Sequence, residues 1–398
     1  MKKKIVCKIC GHEKAAIIEN NGQFICADCL IKMGKDAKAA VKNKDNSPVM
    51  TNDIWTPKRF KQLLDDYVIG QEVAKKKISV AFFNHLMRLK HLDEHGDDQD
   101  FIPLEKSNIL MVGPTGSGKT LMLKTLAKNL NMPLAIQDCT NLTAAGYVGE
   151  DVENCLRKLI EAADGDVQAA ERGIVFLDEV DKIGRKGENV SITRDVSGES
   201  VQQALLKLVE GTVAEVPEKG VRKNPNESCT KIDTSNILFI IGGSFEGIEK
   251  IIAKRINGKT GMGFGATIVD TSKKSINDYI TKVNTEDLRK FGMLPEFLGR
   301  FPIIAPLKEL TENELLRILT EPKNAIVKQY KILFKECNKN ITFDDESLHA
   351  IAKKAIANKT GARGLRTIIE DLLLDDIYNI EDLNGNLILD GTCKLKAV

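Results

Sequence analysis

Short apolar runs alternate with longer segments through the middle of the chain. Four runs have the length of buried strands, namely NILMV (108–112), LAIQD (134–138), GIVFLD (173–178) and NILFII (236–241). The segments between them are long enough for helices. This alternation predicts an α/β fold, a parallel sheet with helices on both faces.

Two of the intervening segments place apolar residues on one helical face. The spacing i, i+3, i+4, i+7 occurs in two sets: Val152, Cys155, Leu156 and Leu159, then Val201, Ala204, Leu205 and Leu208. Such faces are typical of helices that cover a sheet.

The pattern changes after Pro306. Thr311 and Glu314 have the spacing of a capping box, and helical segments and a short strand, GNLILD (385–390), follow. We therefore predict a smaller, mainly helical C-terminal domain.

These changes divide the chain into four predicted parts. Residues 1–36 form a cysteine-rich module, and residues 37–60 are polar and predicted to be a flexible linker. Residues 61–308 form the large α/β domain, and residues 309–398 form the small helical domain.

The composition excludes several classes of protein. The 398 residues include 58 basic and 56 acidic side chains, so the net charge of +2 provides no overall attraction to nucleic acid or an anionic membrane. No run approaches the ~18 apolar residues of a membrane span. The start, MKKKIVCKIC, lacks the apolar stretch of a signal peptide. We expect a cytoplasmic protein, most simply bacterial, with no membrane partner.

Four of the nine cysteines form two C-x-x-C pairs separated by fifteen residues: Cys7, Cys10, Cys26 and Cys29. This spacing predicts a structural zinc site with four thiolate ligands. So short a module cannot bury enough apolar surface to fold alone, so zinc would drive its folding. Ten lysines against five acidic residues in the first fifty leave a nucleic-acid-binding ribbon as an alternative.

The strongest chemical indication is a phosphate-binding loop directly after the first predicted strand. Its residues are Gly113, Pro114, Thr115, Gly116, Ser117, Gly118, Lys119 and Thr120. The backbone N–H groups of such a loop surround phosphates. We expect Lys119 to reach the β- and γ-phosphates of ATP and the Thr120 hydroxyl to hold Mg²⁺.

An acidic pair follows the third predicted strand. Asp178 is expected to bind Mg²⁺ and Glu179 to polarise the attacking water. Alone, such a pair is more often a helix cap or a surface turn. Earlier in the chain, Val68 and Ile69 form either an apolar wall against adenine or part of the core.

Seven segments, DYVIGQ, GPTGSGKT, AGYVGEDVEN, IVFLDEVDK, SITRDVSGE, PEFLGRFP and TGARGLR, occur in one order. Together they closely resemble the unfoldases of the Clp protease, a branch of the AAA+ ATPases. The resemblance covers nearly the whole chain. It implies a homohexameric, ATP-driven motor that unfolds tagged or unfolded proteins and threads them into a ClpP-type peptidase. It also implies that the zinc module dimerises and docks adaptors or substrates.

The resemblance also assigns roles to single residues. Arg300 matches the arginine finger that reaches the neighbouring subunit's nucleotide, and Arg363 matches the sensor arginine of the small domain. Tyr147 and Val148 match the pore loop that grips substrate, and Arg194 matches a second pore loop. The family's polar sensor after the fourth strand has no evident counterpart, because Gly242 and Gly243 precede Ser244.

Two loops depart from the family pattern. Asn224 stands where the entrance loop has histidine, which alters the expected tag preference. The docking loop has Met262, Gly263 and Phe264, with methionine in place of isoleucine. Methionine keeps the apolar volume, so peptidase docking is expected to survive. The alternatives are a remodelling chaperone without a peptidase and, less favoured by the near-neutral charge and Tyr147, a nucleic-acid motor.

Overall fold

The computed structural model describes residues 55–143, 150–184, 198–217, 229–257 and 276–397, apart from 97, 99, 384 and 393. It also describes the backbone of a short antiparallel pair, β1 (Ile17–Asn20) and β2 (Gln23–Cys26). The chain divides into two compact units, Met1–Ile54 and Trp55–Val398. Of the predicted zinc ligands, Cys7, Cys10 and Cys29 lie outside the described residues, as does the side chain of Cys26.

The second unit contains twelve described strands. They are β3 (Ile109–Val112), β4 (Leu134–Asp138), β5 (Leu142–Thr143), β6 (Glu150–Asp151), β7 (Ile174–Asp178), β8 (Val213–Pro217), β9 (Cys229–Asp233), β10 (Leu238–Gly243), β11 (Ile303–Pro306), β12 (Asn340–Phe343), β13 (Asn386–Leu389) and β14 (Leu395–Ala397).

The described helices alternate with these strands. They are α1 (Pro57–Asp65), α2 (Glu72–His95), α3 (Lys119–Asn129), α4 (Asn154–Ala162), α5 (Val167–Ala170), α6 (Gly198–Glu210), α7 (Ile248–Asn257), α8 (Ile276–Ile280), α9 (Thr285–Phe291), α10 (Pro295–Gly299), α11 (Glu312–Thr320), α12 (Ile326–Glu336), α13 (Asp345–Ala357) and α14 (Ala362–Tyr378).

A five-stranded parallel sheet organises the unit, in the order β11-β3-β10-β7-β4. Its side chains alternate between two hydrophobic cores, because successive residues of a strand face opposite sides. In β3, Leu110 and Val112 lie in one core, and Ile109 and Met111 lie in the other. The prediction of a parallel sheet with helices on both faces is confirmed, and all four predicted strands are present.

The fifth strand, β11, was not among the sequence predictions. It pairs with β3 at the edge of the sheet and ends at Pro306. Three residues between two prolines give too short a pattern to indicate a strand. Proline is tolerated there because an edge strand does not need every N–H for pairing.

Helix α1 begins inside the range predicted as linker. Thr56 caps it by accepting a hydrogen bond from the Arg59 N–H at 3.3 Å, and Pro57 occupies the first turn. Phe60 is fully buried and stacks on Trp55. Residues 57–60 are therefore helical, because an apolar anchor and a proper helix start follow the polar stretch.

The C-terminal part, from α11 onward, has a hydrophobic core of its own. The predicted capping box is present: the Thr311 hydroxyl accepts from the Glu314 N–H at 3.3 Å, and Glu314 accepts from the Thr311 N–H at 2.8 Å. The predicted strand at 385–390 is β13, which pairs with β12 and β14. None of the helices described combines the length and apolar character of a membrane span.

Candidate nucleotide site

The candidate chemistry meets at the carboxyl edge of the sheet. Strands β3, β10 and β7 are neighbours, with Val112 opposite Gly243 and Ile241 opposite Leu177. The phosphate-binding loop follows β3, and the acidic pair lies at the end of β7, so only β10 separates the two strands. Parallel α/β sheets bind ligands at this edge because the loops and helix N-termini converge there.

Close backbone contacts explain the glycines of the phosphate-binding loop. A Cβ on Gly113 would lie 2.6 Å from the Leu307 carbonyl oxygen, and one on Gly116 would lie 2.6 Å from the Thr360 carbonyl oxygen. Gly118 has a φ of 100° and directly precedes α3, which begins at Lys119. The loop thus ends on a helix N-terminus, where backbone N–H groups and the helix dipole favour an anion.

Lys119 is held by the loop itself. Its Nζ donates to the carbonyl oxygen of Gly113 at 2.6 Å and to that of Pro114 at 3.1 Å. Burial lowers the pKa of Lys119, and the Asp178 carboxylate opposes this shift. The lysine lies at the base of the loop, where phosphate oxygens would replace the carbonyls as partners.

Thr120 and Asp178 bring two oxygen ligands together. The Thr120 hydroxyl donates to Asp178 Oδ2 at 3.5 Å, across the gap between α3 and β7. A hydroxyl and a carboxylate are ligands that Mg²⁺ prefers. These side chains therefore fit the metal that accompanies ATP.

Glu179 directly follows Asp178, the last residue of β7. It has a left-handed backbone, with a φ of 56°, and its N–H donates to Asp178 Oδ1 at 3.0 Å. Its side chain is exposed at the open edge. Partial removal from water raises the pKa of Glu179, and the carboxylates of Asp138 and Asp178 raise it further. A raised pKa makes a carboxylate a stronger base.

Asp138, which the sequence analysis did not assign, ends β4 directly opposite Asp178 in the sheet register. If Glu179 is the base, hydrolysis is lost as the pH falls through its raised pKa and the carboxylate becomes protonated. We expect Asp138→Asn to remove one neighbouring charge, lower the Glu179 pKa and move the acid limb of kcat to lower pH. ATPase rates across the mildly acidic range measure this, with Asp93→Asn as a distant control. An unmoved limb would contradict it.

Val68 lies beside the phosphate-binding loop. Its Cγ1 is 3.8 Å from the position of a Cβ on Gly118, and both Val68 and Ile69 are buried. A cavity of about 600 Å³ borders both residues on the side of α11. Both interpretations, a wall against adenine and a part of the core, remain compatible with this position.

The structure places Arg363 close to the loop. Arg363 lies in the first turn of α14, and the preceding Ala362 N–H donates to the Gly116 carbonyl oxygen at 3.4 Å. Its charge contributes to lowering the pKa of Lys119. This places a cation of the C-terminal part beside the phosphate-binding loop.

Arg300 lies near the amino-terminal ends of the parallel strands, opposite the edge that carries the phosphate-binding loop. Its carbonyl oxygen accepts from Asn108 Nδ2 at 3.1 Å, and Asn108 precedes β3, whereas the phosphate-binding loop follows β3. The four residues of β3 correspond to about 13 Å. The guanidinium pairs instead with Glu210, its Nε donating to Oε1 at 3.0 Å. Arg300 is therefore remote from the loop of its own chain.

Ser244 directly follows β10, which is the fourth strand predicted from the sequence. This is the region in which the sequence showed no evident counterpart of the family's polar sensor. Its N–H and its hydroxyl donate to the two carboxylate oxygens of Asp181, both at 3.1 Å. Asp181 is buried and lies two residues beyond Glu179. The pair ties the end of β10 to the turn after β7, a link that no local sequence pattern indicates.

Several predicted site residues lie outside the described part of the chain. They are Tyr147, Val148, Arg194, Met262, Gly263 and Phe264, together with Asn224 of the entrance loop. Within the described residues no group of three or more His, Cys, Asp or Glu side chains could hold a metal ion.

The sheet order, the phosphate-binding loop and the adjacent acidic pair define an AAA+ ATPase. The model of the AAA domain (Cdc48 subfamily) matches residues 104–304, and that of the C-terminal, D2-small domain of ClpB protein matches residues 310–388.

Two curated relatives match over almost the full length. The ATP-dependent Clp protease ATP-binding subunit ClpX of Treponema denticola is 49% identical over 387 residues, 96% of this chain and 91% of its own. The ClpX subunit of Borrelia duttonii is 49% identical over 385 residues, 94% of this chain and 86% of its own. The chain belongs to the ClpX family.

Proposed function

We propose that the protein is the ATP-binding subunit of a Clp protease, which unfolds other proteins and threads them into a ClpP-type peptidase. The near full-length similarity to two ClpX subunits is the observation that carries this proposal. The assembled nucleotide site supports it, because unfolding a domain that is stable by ~5–15 kcal/mol requires an energy source.

Each residue of the site has a proposed role in hydrolysis. Lys119 exchanges its loop carbonyls for phosphate oxygens, and Thr120 and Asp178 hold Mg²⁺. The metal neutralises charge on the phosphates when it is bound. Glu179 accepts a proton from the attacking water, because its raised pKa favours this. Arg363, beside the loop, makes the position of the C-terminal part sensitive to phosphate.

The proposed assembly is a homohexameric ring, and the location of Arg300 supports an assembly of several subunits. Because this arginine is at the other edge of the sheet, it can serve as an arginine finger only for a neighbouring subunit. In the proposed ring, Tyr147, Val148 and Arg194 grip substrate in the pore. Met262, Gly263 and Phe264 dock on the peptidase.

The N-terminal module is proposed to bind zinc through Cys7, Cys10, Cys26 and Cys29, and to dimerise and receive adaptors. The cytoplasmic location stays a prediction. A remodelling chaperone without a peptidase is the second candidate, and Met262 in place of the family's isoleucine is the observation that favours it.

A stable fluorescent β-barrel with an unstructured C-terminal tail tests unfolding. The reporter is incubated with the full-length protein, ATP and a trap for unfolded chains, with Glu179→Gln as control. We expect an ATP-dependent loss of fluorescence that the control lacks. Unchanged fluorescence despite ATP hydrolysis, for several tail sequences, would contradict the unfolding function, and stimulation of hydrolysis by DNA would favour the nucleic-acid motor. Co-elution with a heptameric peptidase separates the protease subunit from the lone chaperone.

A further inference from the structure

Gln71 occupies an unusual position between α1 and α2. It directly precedes α2 with a left-handed backbone, a φ of 58°, and its side chain makes no capping hydrogen bond to the helix. Only 7% of the residue is exposed. A buried amide in a strained conformation that does not cap its helix must be satisfied by a more distant partner.

That partner is the backbone of Lys308. Gln71 Nε2 donates to the Lys308 carbonyl oxygen at 2.8 Å, and the Lys308 N–H donates to Gln71 Oε1 at 2.8 Å. The amide thus pairs with a single residue through both of its polar atoms. Lys308 lies in the connector (residues 307–311) between the last strand of the sheet and α11. The contact spans 237 positions of the chain.

The phosphate-binding loop contacts the same connector. The Leu307 N–H donates to the Val112 carbonyl oxygen at 2.7 Å. The Leu307 carbonyl oxygen lies so close to Gly113 that a Cβ there would be 2.6 Å from it. The connector is therefore held on one side by the start of the loop. On the other side it is held by Gln71, which directly follows the segment that carries Val68.

Further contacts join the same segment to the C-terminal part. The Lys323 N–H donates to the Asp66 carbonyl oxygen at 2.9 Å, and its Nζ pairs with Asp66 Oδ2 at 2.7 Å. The Glu314 carboxylate lies against Gly70, where a Cβ would overlap it. Exposed ion pairs contribute little. The pairing of Gln71 is the more specific link, because its own side chain is buried and both polar atoms of the amide are used.

We propose that Gln71 is a positioning residue that links nucleotide binding to the placement of the C-terminal part. It holds the Val68 segment and the connector together, so that the phosphate-binding loop, the Val68 segment beside it and α11 adopt one arrangement around ATP. This inference rests on the proposed nucleotide site, and it adds a residue that contacts neither phosphate nor metal.

Gln71→Ala and Gln71→Glu test the link in the full-length protein. Alanine removes both hydrogen bonds, and it must adopt the same left-handed backbone conformation as glutamine. Glutamate replaces the donor by an oxygen that faces the Lys308 carbonyl. Gln202→Ala is a matched control. Gln202 is fully buried and pairs in the same way, donating to the Ile183 carbonyl at 2.7 Å and accepting from the Leu294 N–H at 2.9 Å.

The readouts are ADP affinity and amide hydrogen exchange with and without ADP. In the parent protein we expect ADP to slow exchange across residues 307–323. In both Gln71 variants this effect should disappear, and ADP affinity should fall about tenfold, as expected when roughly one to two hydrogen bonds of a buried amide no longer support binding. Gln202→Ala should lower the melting temperature but keep the ADP effect.

The outcomes separate the two proposals. If the parent protein does not bind ADP, the nucleotide site itself is wrong. If the parent binds ADP and folded Gln71 variants show the same affinity and the same ADP-dependent exchange, the positioning role is wrong. If the Gln202 variant loses the ADP effect equally, the effect is one of stability, and the inference is overturned.

Discussion

Replacing Arg300 by alanine is expected to lower the ATPase rate about 10³-fold or more, the lower end of the effect of losing an arginine finger. Affinity for ATP should change much less than the rate, because an arginine finger acts mainly on the charge that develops in the transition state. Steady-state hydrolysis and binding of a fluorescent nucleotide measure the two effects separately. Arg172→Ala removes a half-buried arginine that is likewise paired with a carboxylate, that of Asp93, and should leave the rate unchanged.

Mixing variants tests whether Arg300 acts on a neighbouring subunit. Arg300→Ala subunits keep Glu179, and Glu179→Gln subunits keep Arg300. In a mixed ring, some interfaces therefore combine an intact base with an intact arginine. We expect the mixture to hydrolyse ATP faster than either variant alone. A mixture no faster than the separate variants would contradict the action in trans.

Glu179→Gln is expected to lower hydrolysis by about 10²–10⁴-fold, the usual contribution of a general base. Binding of Mg²⁺ and ATP should survive, because Lys119, Thr120 and Asp178 are unchanged and the Glu179 backbone N–H still donates to Asp178. Rapid-mixing kinetics and nucleotide affinity measure the two quantities. Asp178→Asn is the contrasting variant, since it removes the carboxylate that supports Mg²⁺ and should weaken binding of Mg²⁺ and ATP together. If the Glu179→Gln variant still hydrolyses ATP at the parent rate, Glu179 is not the general base.

The sheet and the convergence of the candidate nucleotide residues at one edge of it were largely predictable, because their information is local. Four apolar runs defined four strands, and the loop at 113–120 and the pair at 178–179 each follow a strand directly. Parallel pairing then brings the ends of those strands to one edge. The capping box at Thr311 was equally evident, because its two residues are three positions apart.

The remaining features depend on contacts between distant parts of the chain. The strand Ile303–Pro306 is defined by its pairing with β3 rather than by its own four residues. The pairing of Gln71 with Lys308 crosses most of the second unit, and the contact of Ser244 with Asp181 exists only because β10 and β7 are neighbours. The early start of α1 had a local indication, Thr56 followed by Pro57, that the polar surroundings concealed.

The carbonyl oxygens of Gly113 and Pro114 accept hydrogen bonds from Lys119, so they compete with a bound anion for its ammonium group. Any anion must offer the ammonium group more than Gly113 and Pro114 already provide. A lone phosphate ion replaces these contacts with few others, whereas a nucleoside triphosphate adds the backbone N–H groups of the loop and the Mg²⁺ ligands. We therefore expect inorganic phosphate alone to bind this loop more weakly than a nucleoside triphosphate with Mg²⁺ does.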